Sequence, residues 1–287
     1  MAVTEALRTA PLSLAHAEDG FRLSAEMGWN QTAADWRLML ETGEGIGQLT
    51  GEGELVASAV ILPYGNRLAW IGMVLTTGAF QRRGLATANL CWAIRRCEEL
   101  GLVAGLDATP AGREVYRPLG FSDLLGLTRF RADAPALTAD APGEVTLRPM
   151  LVDDVDRVAS ADADAFGAER HHLIAYLREA GPEVGWIAGR GPDLEGFVLG
   201  RPGRLARHVG PLCARDVVVA RALLAVALGD RQKPVSIDVP DGQSAFVAWL
   251  EACGFAPVRP FTRMLKDARS APGDPGRLFA IAGPDLG

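Results

Sequence analysis

"WIGMVLTTGAFQRRGLATANL", residues 70–90, decides how this chain is read. Its opening, as far as Thr77, is the apolar run of a strand. From Gln81 the period changes. Ala86, Leu90, Ile94, Cys97 and Leu100 recur every three or four residues, the spacing of one helix face, and Gly101 stands where a helix C-terminal glycine belongs. Between strand and helix stand Gln81, Arg82, Arg83 and Gly84, with no Ser, Thr, Asp or Asn where a helix is ordinarily capped. The first N–H groups of a helix have no intrahelical partner, and the helix dipole adds about half a positive charge there. Glycine lets a ligand approach the backbone and arginine adds paired donors, so Arg82, Arg83, Gly84, Leu85, Ala86 and Thr87 suit a phosphate. On the residues alone the same stretch also fits a solvated turn. A Walker loop is excluded, because no Gly-Lys-Ser/Thr follows at the required spacing.

Working outward, "GIGQLTGEGELVASAVILPYGNRLAWIGMVLTT" reads as an antiparallel meander broken at Gly-Glu-Gly and Tyr-Gly-Asn. After the helix come a strand "LVAGLDA", a short helix over "GREVYRPLG" and a strand "LGLTRFR". "RADAPALTADAPGE", an Ala/Pro/Asp stretch without periodicity, reads as a linker. Beyond it the same order returns: "VGWIAG", "LEGFVLG" and "RLARHVGPLCA" as strands, "DVVVARALLAVALG" as a helix, "PVSIDVP", "SAFVAWLEACGF" and "PFTRML". Residues repeat with the elements. Gly120-Phe121 is followed by Thr128-Arg129 at the offset that separates Gly254-Phe255 from Thr262-Arg263, and Asp107 and Asp238 fall in matching strands. The chain is therefore read as a duplicated α/β domain: residues 1–133, a linker at 134–143, and residues 144–287.

In this context the stretch resembles the GNAT acetyltransferase superfamily, whose signature is Q/R-x-x-G-x-G/A after the fourth strand and a Tyr shortly before Gly-Phe. Gln81, Gly84 and Ala86 supply the first element; Tyr116, Gly120 and Phe121 supply the second. The likeness covers about residues 10–132 by motif and order, with "GWNQTAADW" similar to the N-terminal region of some tandem members. It implies two mostly antiparallel mixed sheets flanked by helices, with acetyl-CoA in a cleft where the fourth and fifth strands splay. The backbone of Val74, Leu75 and Thr76 would hold the pantetheine arm, and residues 82–87 the pyrophosphate. Thr76 stands for the usual valine, Gly78 for a frequent proline, and Thr109 is the nearest counterpart of a frequent asparagine contact.

The chemistry follows from charge. An amine attacks a thioester only when neutral, the developing oxyanion needs a fixed donor, and the departing sulfur needs a proton. A backbone N–H near Val74 or Leu75 would serve the oxyanion. Tyr116 is the candidate acid, because its phenol, with a pKa of ~10 above a thiol's ~8.5, holds its proton and can pass it to the departing thiolate; the alternative is a packing aromatic. Asp107 is a candidate base acting through water, while Asp238 at the matching place argues for a structural role, and both readings stand. Asn30, Gln31 and Trp36 fall where relatives cover the acceptor, or form a helix start capped by Asn30 or Thr32 with Trp36 in the core.

Composition bounds the rest. A net charge of −6 and a pI near 5.3 argue against a nucleic-acid footprint. Cys91, Cys97, Cys213 and Cys253 lack a ligand-like spacing and read as reduced, packed thiols. His171 and His172 are adjacent and point apart, and His16 and His208 have no visible partner, so no metal is expected. No run approaches the ~18 apolar residues of a membrane span, and the expectation is a cytoplasmic protein.

In the second half the strand meets its helix with Asp216 at the cap position, Pro211 removes a strand N–H, and Leu250 stands at the place of Tyr116. That repeat is expected to keep the fold without the cofactor and to complete the acceptor pocket or a homodimer surface. "GRLFAIAGPDLG" is expected to add one strand to either sheet. The resulting expectation is acetyl transfer from acetyl-CoA to an amine of a small molecule or peptide. The alternative is a noncatalytic acyl-CoA-binding or scaffold protein.

Overall fold

The structure, a computed structural model, describes residues 6–140, 143–229, 233–268 and 270–287. The chain divides into two compact units, one ending at Leu106 and the other beginning at Asp107.

In the first unit β1 (Arg8–Leu12) leads to α1 (Ala17–Glu26) and α2 (Ala33–Thr42), then to β2 (Glu44–Leu49), β3 (Leu55–Tyr64), β4 (Leu68–Thr76), α3 (Leu85–Glu99) and β5 (Val103–Ala108), which runs across the boundary. The sheet order is β1-β2-β3-β4-β5, antiparallel except for the parallel β4–β5 pair. β3 is buried at nearly every residue, because helices cover both of its faces: α1 and α2 pack on it and so does α3. Thr32 caps α2 through the Asp35 N–H, with the Asp35 carboxylate returning to the Thr32 N–H at 2.7 Å. Trp36, fully buried, donates from Nε1 to Ser24 at 3.1 Å. The helix-start reading of this segment therefore holds for Thr32 and Trp36. Gly20 is required beneath the indole: a Cβ there would lie 2.4 Å from the ring.

The second unit takes α4 (Pro110–Tyr116), β6 (Phe121–Ala132), β7 (Thr146–Pro149), α5 (Val155–Phe166), α6 (His171–Ala180), β8 (Trp186–Arg190), β9 (Asp193–Arg201), β10 (Arg207–Ala214), α7 (Val217–Leu228), β11 (Val235–Pro240), α8 (Ser244–Ala252), β12 (Ala256–Lys266) and β13 (Leu278–Ala280). Its sheet runs β12-β6-β11-β10-β9-β8-β7, with β13 also paired to β10. Within it β10–β11 is parallel, as β4–β5 is in the first unit. α7 packs on β8, β9 and β10 around Val219, Leu223 and Leu224.

Packing cuts the chain elsewhere than the repeat does. β6 belongs to the first repeat by sequence, yet it lies between β11 and β12, both from the second. The stretch read as a linker falls partly outside the described residues. Its described part is docked in the second unit: the Ala136 N–H donates to Cys253 O at 3.1 Å and Trp249 Nε1 to Thr138 O at 2.8 Å. All four cysteines are free, with Cys97, Cys213 and Cys253 buried and Cys91 half-buried. Among the described residues no helix is long and apolar enough to cross a membrane.

Candidate active site

β4 departs from a regular strand where the resemblance implies the pantetheine contacts. Ser58 of β3 faces Leu75, but Val60 faces Gly72, so Met73 and Val74 oppose the single residue Ala59 in a bulge. Met73 takes φ of 53° there, and the Ser58 hydroxyl donates to its carbonyl at 2.7 Å. On its other side β4 pairs with β5 only from Leu68↔Val103 to Trp70↔Gly105. The ladder stops short of Val74, Leu75 and Thr76. Leu75 is buried, Val74 and Thr76 are half-exposed, and the buried Thr76 Oγ1 has no hydrogen-bond partner among the described residues.

Past β4 the Gly78 N–H is held by the Glu26 carboxylate of α1 at 3.1 Å, and Gln81 Nε2 donates to Thr76 O at 3.3 Å. The loop then turns left-handed twice, at Arg82 (φ 60°) and at Gly84 (φ 80°). Gly84 is the N-cap of α3; no side chain caps the helix, and its first turn holds no acidic residue. A Cβ on Gly84 would meet nothing within 4 Å, so glycine is required there for its backbone angle, and the space above the helix end is open. Arg82, Arg83 and Thr87 are exposed, Leu85 and Ala86 half-buried. Arg83 lies over the Phe80 ring, 4.9 Å from its centroid. Exposed N–H groups, a positive helix end and two arginines fit an anionic group such as a pyrophosphate.

In the segment expected to cover the acceptor, Gln31 is 7% exposed, and its buried Oε1 has no hydrogen-bond partner among the described residues. Trp36 belongs to the core.

Asp107 and Tyr116 lie in the second unit. Asp107 has a fully buried side chain, and both its oxygens accept from Arg263, at 2.9 Å from Nε and 2.8 Å from an Nη. Burial pushes its pKa above the ordinary carboxylate value, against the pull of Arg263. Asp238, also with a fully buried side chain, is held in the same way by Arg129, at 2.7 Å on each side, and Arg129 draws its pKa down against the cost of burial. Each repeat's Thr-Arg strand thus supplies the arginine for the other repeat's aspartate. Of the two readings of Asp107, this geometry matches the structural one, and losing one partner of such a buried pair costs about 3–5 kcal/mol.

Two residues after Asp107, Thr109 caps α4 by accepting the Gly112 N–H at 3.2 Å, so the residue standing for the family's asparagine works as a helix cap. Tyr116 closes α4, half-buried, its ring 6.1 Å from that of Phe121 and lying over Gly112. No described residue hydrogen-bonds its hydroxyl, and burial pushes its pKa up to about 12. Arg113 and Arg117, on either side of it, both bind the Asp123 carboxylate of β6 and hold that carboxyl down at about 2.

The matching loop of the second repeat is closed. Asp216 caps α7, accepting the Val219 N–H at 2.9 Å. β10 and β11 also part after three residue pairs, but β13 pairs with β10 there, and the Ile281 N–H donates to Asp238 O at 3.0 Å. A Cβ on Gly210 would lie 1.8 Å from the Ile281 carbonyl oxygen, so β10 accepts this neighbour only because residue 210 is glycine. Farther along, Arg201 binds the Ala282 carbonyl and the Asp285 carboxylate, and buried Arg170, itself paired with Asp162, binds the carbonyls of Leu286 and Gly287. Sequence reading placed a strand here but missed these partners. It noted Arg129 and Arg263 as repeated residues but missed that each holds the other repeat's aspartate, although a charged residue at the same mid-strand place in both repeats was a visible signal.

Comparisons with known proteins match the chain in two places. Residues 14–121 match the model of the acetyltransferase (GNAT) family, and residues 158–280 match an acetyltransferase (GNAT) domain model. A Bacillus subtilis (strain 168) protein named as an uncharacterized N-acetyltransferase, YitH, is 24% identical over 279 residues, 95% of each chain. Among solved structures, a putative acetyltransferase from Pyrococcus horikoshii superposes with a TM-score of 0.74 at 22% identity, covering 98% of this chain and 96% of that one. A tandem GNAT protein from the clavulanic acid biosynthesis pathway gives 0.62 at 16% identity, covering 92% and 100%.

Proposed function

The chain belongs to the GNAT acetyltransferase superfamily, carrying its fold twice, and from that premise we propose that it transfers an acetyl group from acetyl-CoA to an amine, using its first repeat alone to hold the cofactor. One contrast carries this reading: the α3 N-terminus is uncapped and follows Arg82, Arg83 and Gly84, whereas the matching α7 is capped by Asp216.

In this reading the N–H groups opening α3, with Arg82 and Arg83, take the pyrophosphate, and the free edge of β4 at Val74, Leu75 and Thr76 takes the pantetheine arm. The orphaned Thr76 hydroxyl supports a polar ligand there. Bound in this way, acetyl-CoA supplies an acyl group on a thiolate leaving group. A backbone N–H at the β4 bulge donates to the carbonyl oxygen as it gains charge, while the neutral amine nitrogen forms the new bond to carbon. Tyr116 keeps its proton, since burial holds it to about pH 12, and passes it to sulfur as the carbon–sulfur bond breaks. The nitrogen gives its extra proton to water, and water returns a proton to the Tyr116 phenolate. Asp107 is assigned to structure, because both its oxygens are engaged. Gln31 Oε1, buried and without a partner among the described residues, supports a hydrogen-bond donor of the acceptor binding in this segment, which covers the acceptor in relatives.

A free-thiol assay of CoA release over a panel of small amines and peptide N-termini tests this. The wild type turns over at least one amine, and Tyr116→Phe cuts kcat by about 100-fold or more while leaving acetyl-CoA affinity intact. Unchanged turnover removes Tyr116 from the mechanism. Acetyl-CoA binding without CoA release from any amine would favour the noncatalytic alternative.

A further inference from the structure

We propose that Arg263, on a strand of the second repeat, is a positioning residue for Tyr116, so that the repeat without a cofactor site serves the chemistry of the other. The proposal rests on the reading of Tyr116 as the acid. Residues 107–120, the segment that carries Tyr116, are held at both ends by β12 and the residue that follows it. At the front, Arg263, 5% exposed, grips both oxygens of Asp107. At the back, the Asp267 N–H donates to the Gly120 carbonyl at 3.1 Å. Gly120 takes φ of 91°, and a Cβ there would lie at ordinary contact distance, 3.4 Å, from both Lys266 Nζ and Asp267 Oδ1, so the turn borders the end of β12. Between these points α4 packs on β12.

The duplication supplies a matched control. Arg129 holds Asp238 with the same bidentate geometry and equal burial of the carboxylate. The segment after Asp238, however, carries Leu250 where the first repeat has Tyr116, and Leu250 is fully buried in the core. Both pairs tie strands together, and only one is continuous with a proton donor. A merely structural role predicts equal consequences from breaking either pair; a positioning role predicts unequal ones.

The test compares Arg263→Met with Arg129→Met in the full chain. Thermal unfolding is expected to fall similarly in both. Two readouts need no amine: the acetyl-CoA dissociation constant, unchanged in both, and alkaline titration of tyrosine by ultraviolet difference absorbance. In the wild type and in Arg129→Met, Tyr116 stays protonated to about pH 11, whereas in Arg263→Met it titrates near the ordinary ~10. The signal is assigned to Tyr116 by its loss in the same variants carrying Tyr116→Phe. With the amine the panel selects, kcat falls about tenfold in Arg263→Met and stays within twofold in Arg129→Met. Arg263→Lys, which keeps the charge without the two-pronged grip, gives an intermediate loss and replaces Arg263→Met should that variant fail to fold. Equal effects of the two arginines on titration and kcat overturn the proposal. If Tyr116→Phe turns over normally, the acid assignment fails on its own, and the titration still decides whether Arg263 holds the segment.

Discussion

Leu127 of β6 lies directly opposite Phe261 of β12, and each stands six residues after the phenylalanine of its own repeat's Gly-Phe. The register on either side is symmetric about that pair: Gly126 faces Thr262 and Thr128 faces Pro260. A local two-fold relationship thus passes between the two strands, as in a symmetric dimer where one patch meets its own copy. The crossed salt bridges, Arg263 to Asp107 and Arg129 to Asp238, follow from it.

The first prediction concerns pH. In the proposed mechanism the attacking amine must be neutral and Tyr116 must hold its proton. Activity therefore rises with pH through the amine's own pKa and falls only where the phenol ionises, at about 12. kcat/KM measured with a peptide α-amine, whose pKa is ~8, should stay level from its plateau to about pH 10.5. A descending limb centred near 10 would show a solvated tyrosine and remove burial from the account.

Gly112→Ala separates positioning from stability. A Cβ at residue 112 would lie 3.0 Å from Cε2 of Tyr116 and 3.2 Å from its hydroxyl oxygen, so the ring must shift. Alanine nonetheless favours a helix over glycine by about 1 kcal/mol. The variant should melt no lower than the wild type while kcat drops about tenfold. Undiminished kcat would mean that the ring's place over Gly112 is immaterial.

How much of this was legible beforehand divides along physical lines. The uncapped α3, the Asp216 cap, the Gly101 terminus and the repeat itself were readable, since caps and periods are set by residues near in sequence. The placement of β6 between β11 and β12 was not. A strand's alternation states which faces are buried and says nothing of which neighbour lies at its edge. For the same reason Asp107 and Arg263 were each noted within their own repeat and left unconnected, 156 residues apart.

Cofactor affinity should depend on the α3 end. Gly84 holds φ of 80°, where a Cβ costs about 1–2 kcal/mol. Gly84→Ala should therefore weaken acetyl-CoA binding about tenfold, either by straightening the loop or by spending binding energy to keep it bent. Arg82→Ala should weaken it several-fold and flatten its dependence on salt, because a screened charge has been removed. Calorimetric titration measures both. Affinity unmoved by either change would place the pyrophosphate elsewhere.

The second repeat's closure has two components that mutation can separate. Asp216 neutralises the α7 end, and Asp216→Ala should cost about 1 kcal/mol, a melting shift of a few degrees. It should not create a second cofactor site, because residues 278–287 remain between the parted ends of β10 and β11, with Arg170 and Arg201 holding their carbonyls. Acetyl-CoA stoichiometry should stay at one per chain in the wild type and in Asp216→Ala. If the variant instead bound a second equivalent, the aspartate alone would have been excluding the cofactor. β13 would then be a strand that yields to a ligand rather than one that replaces it.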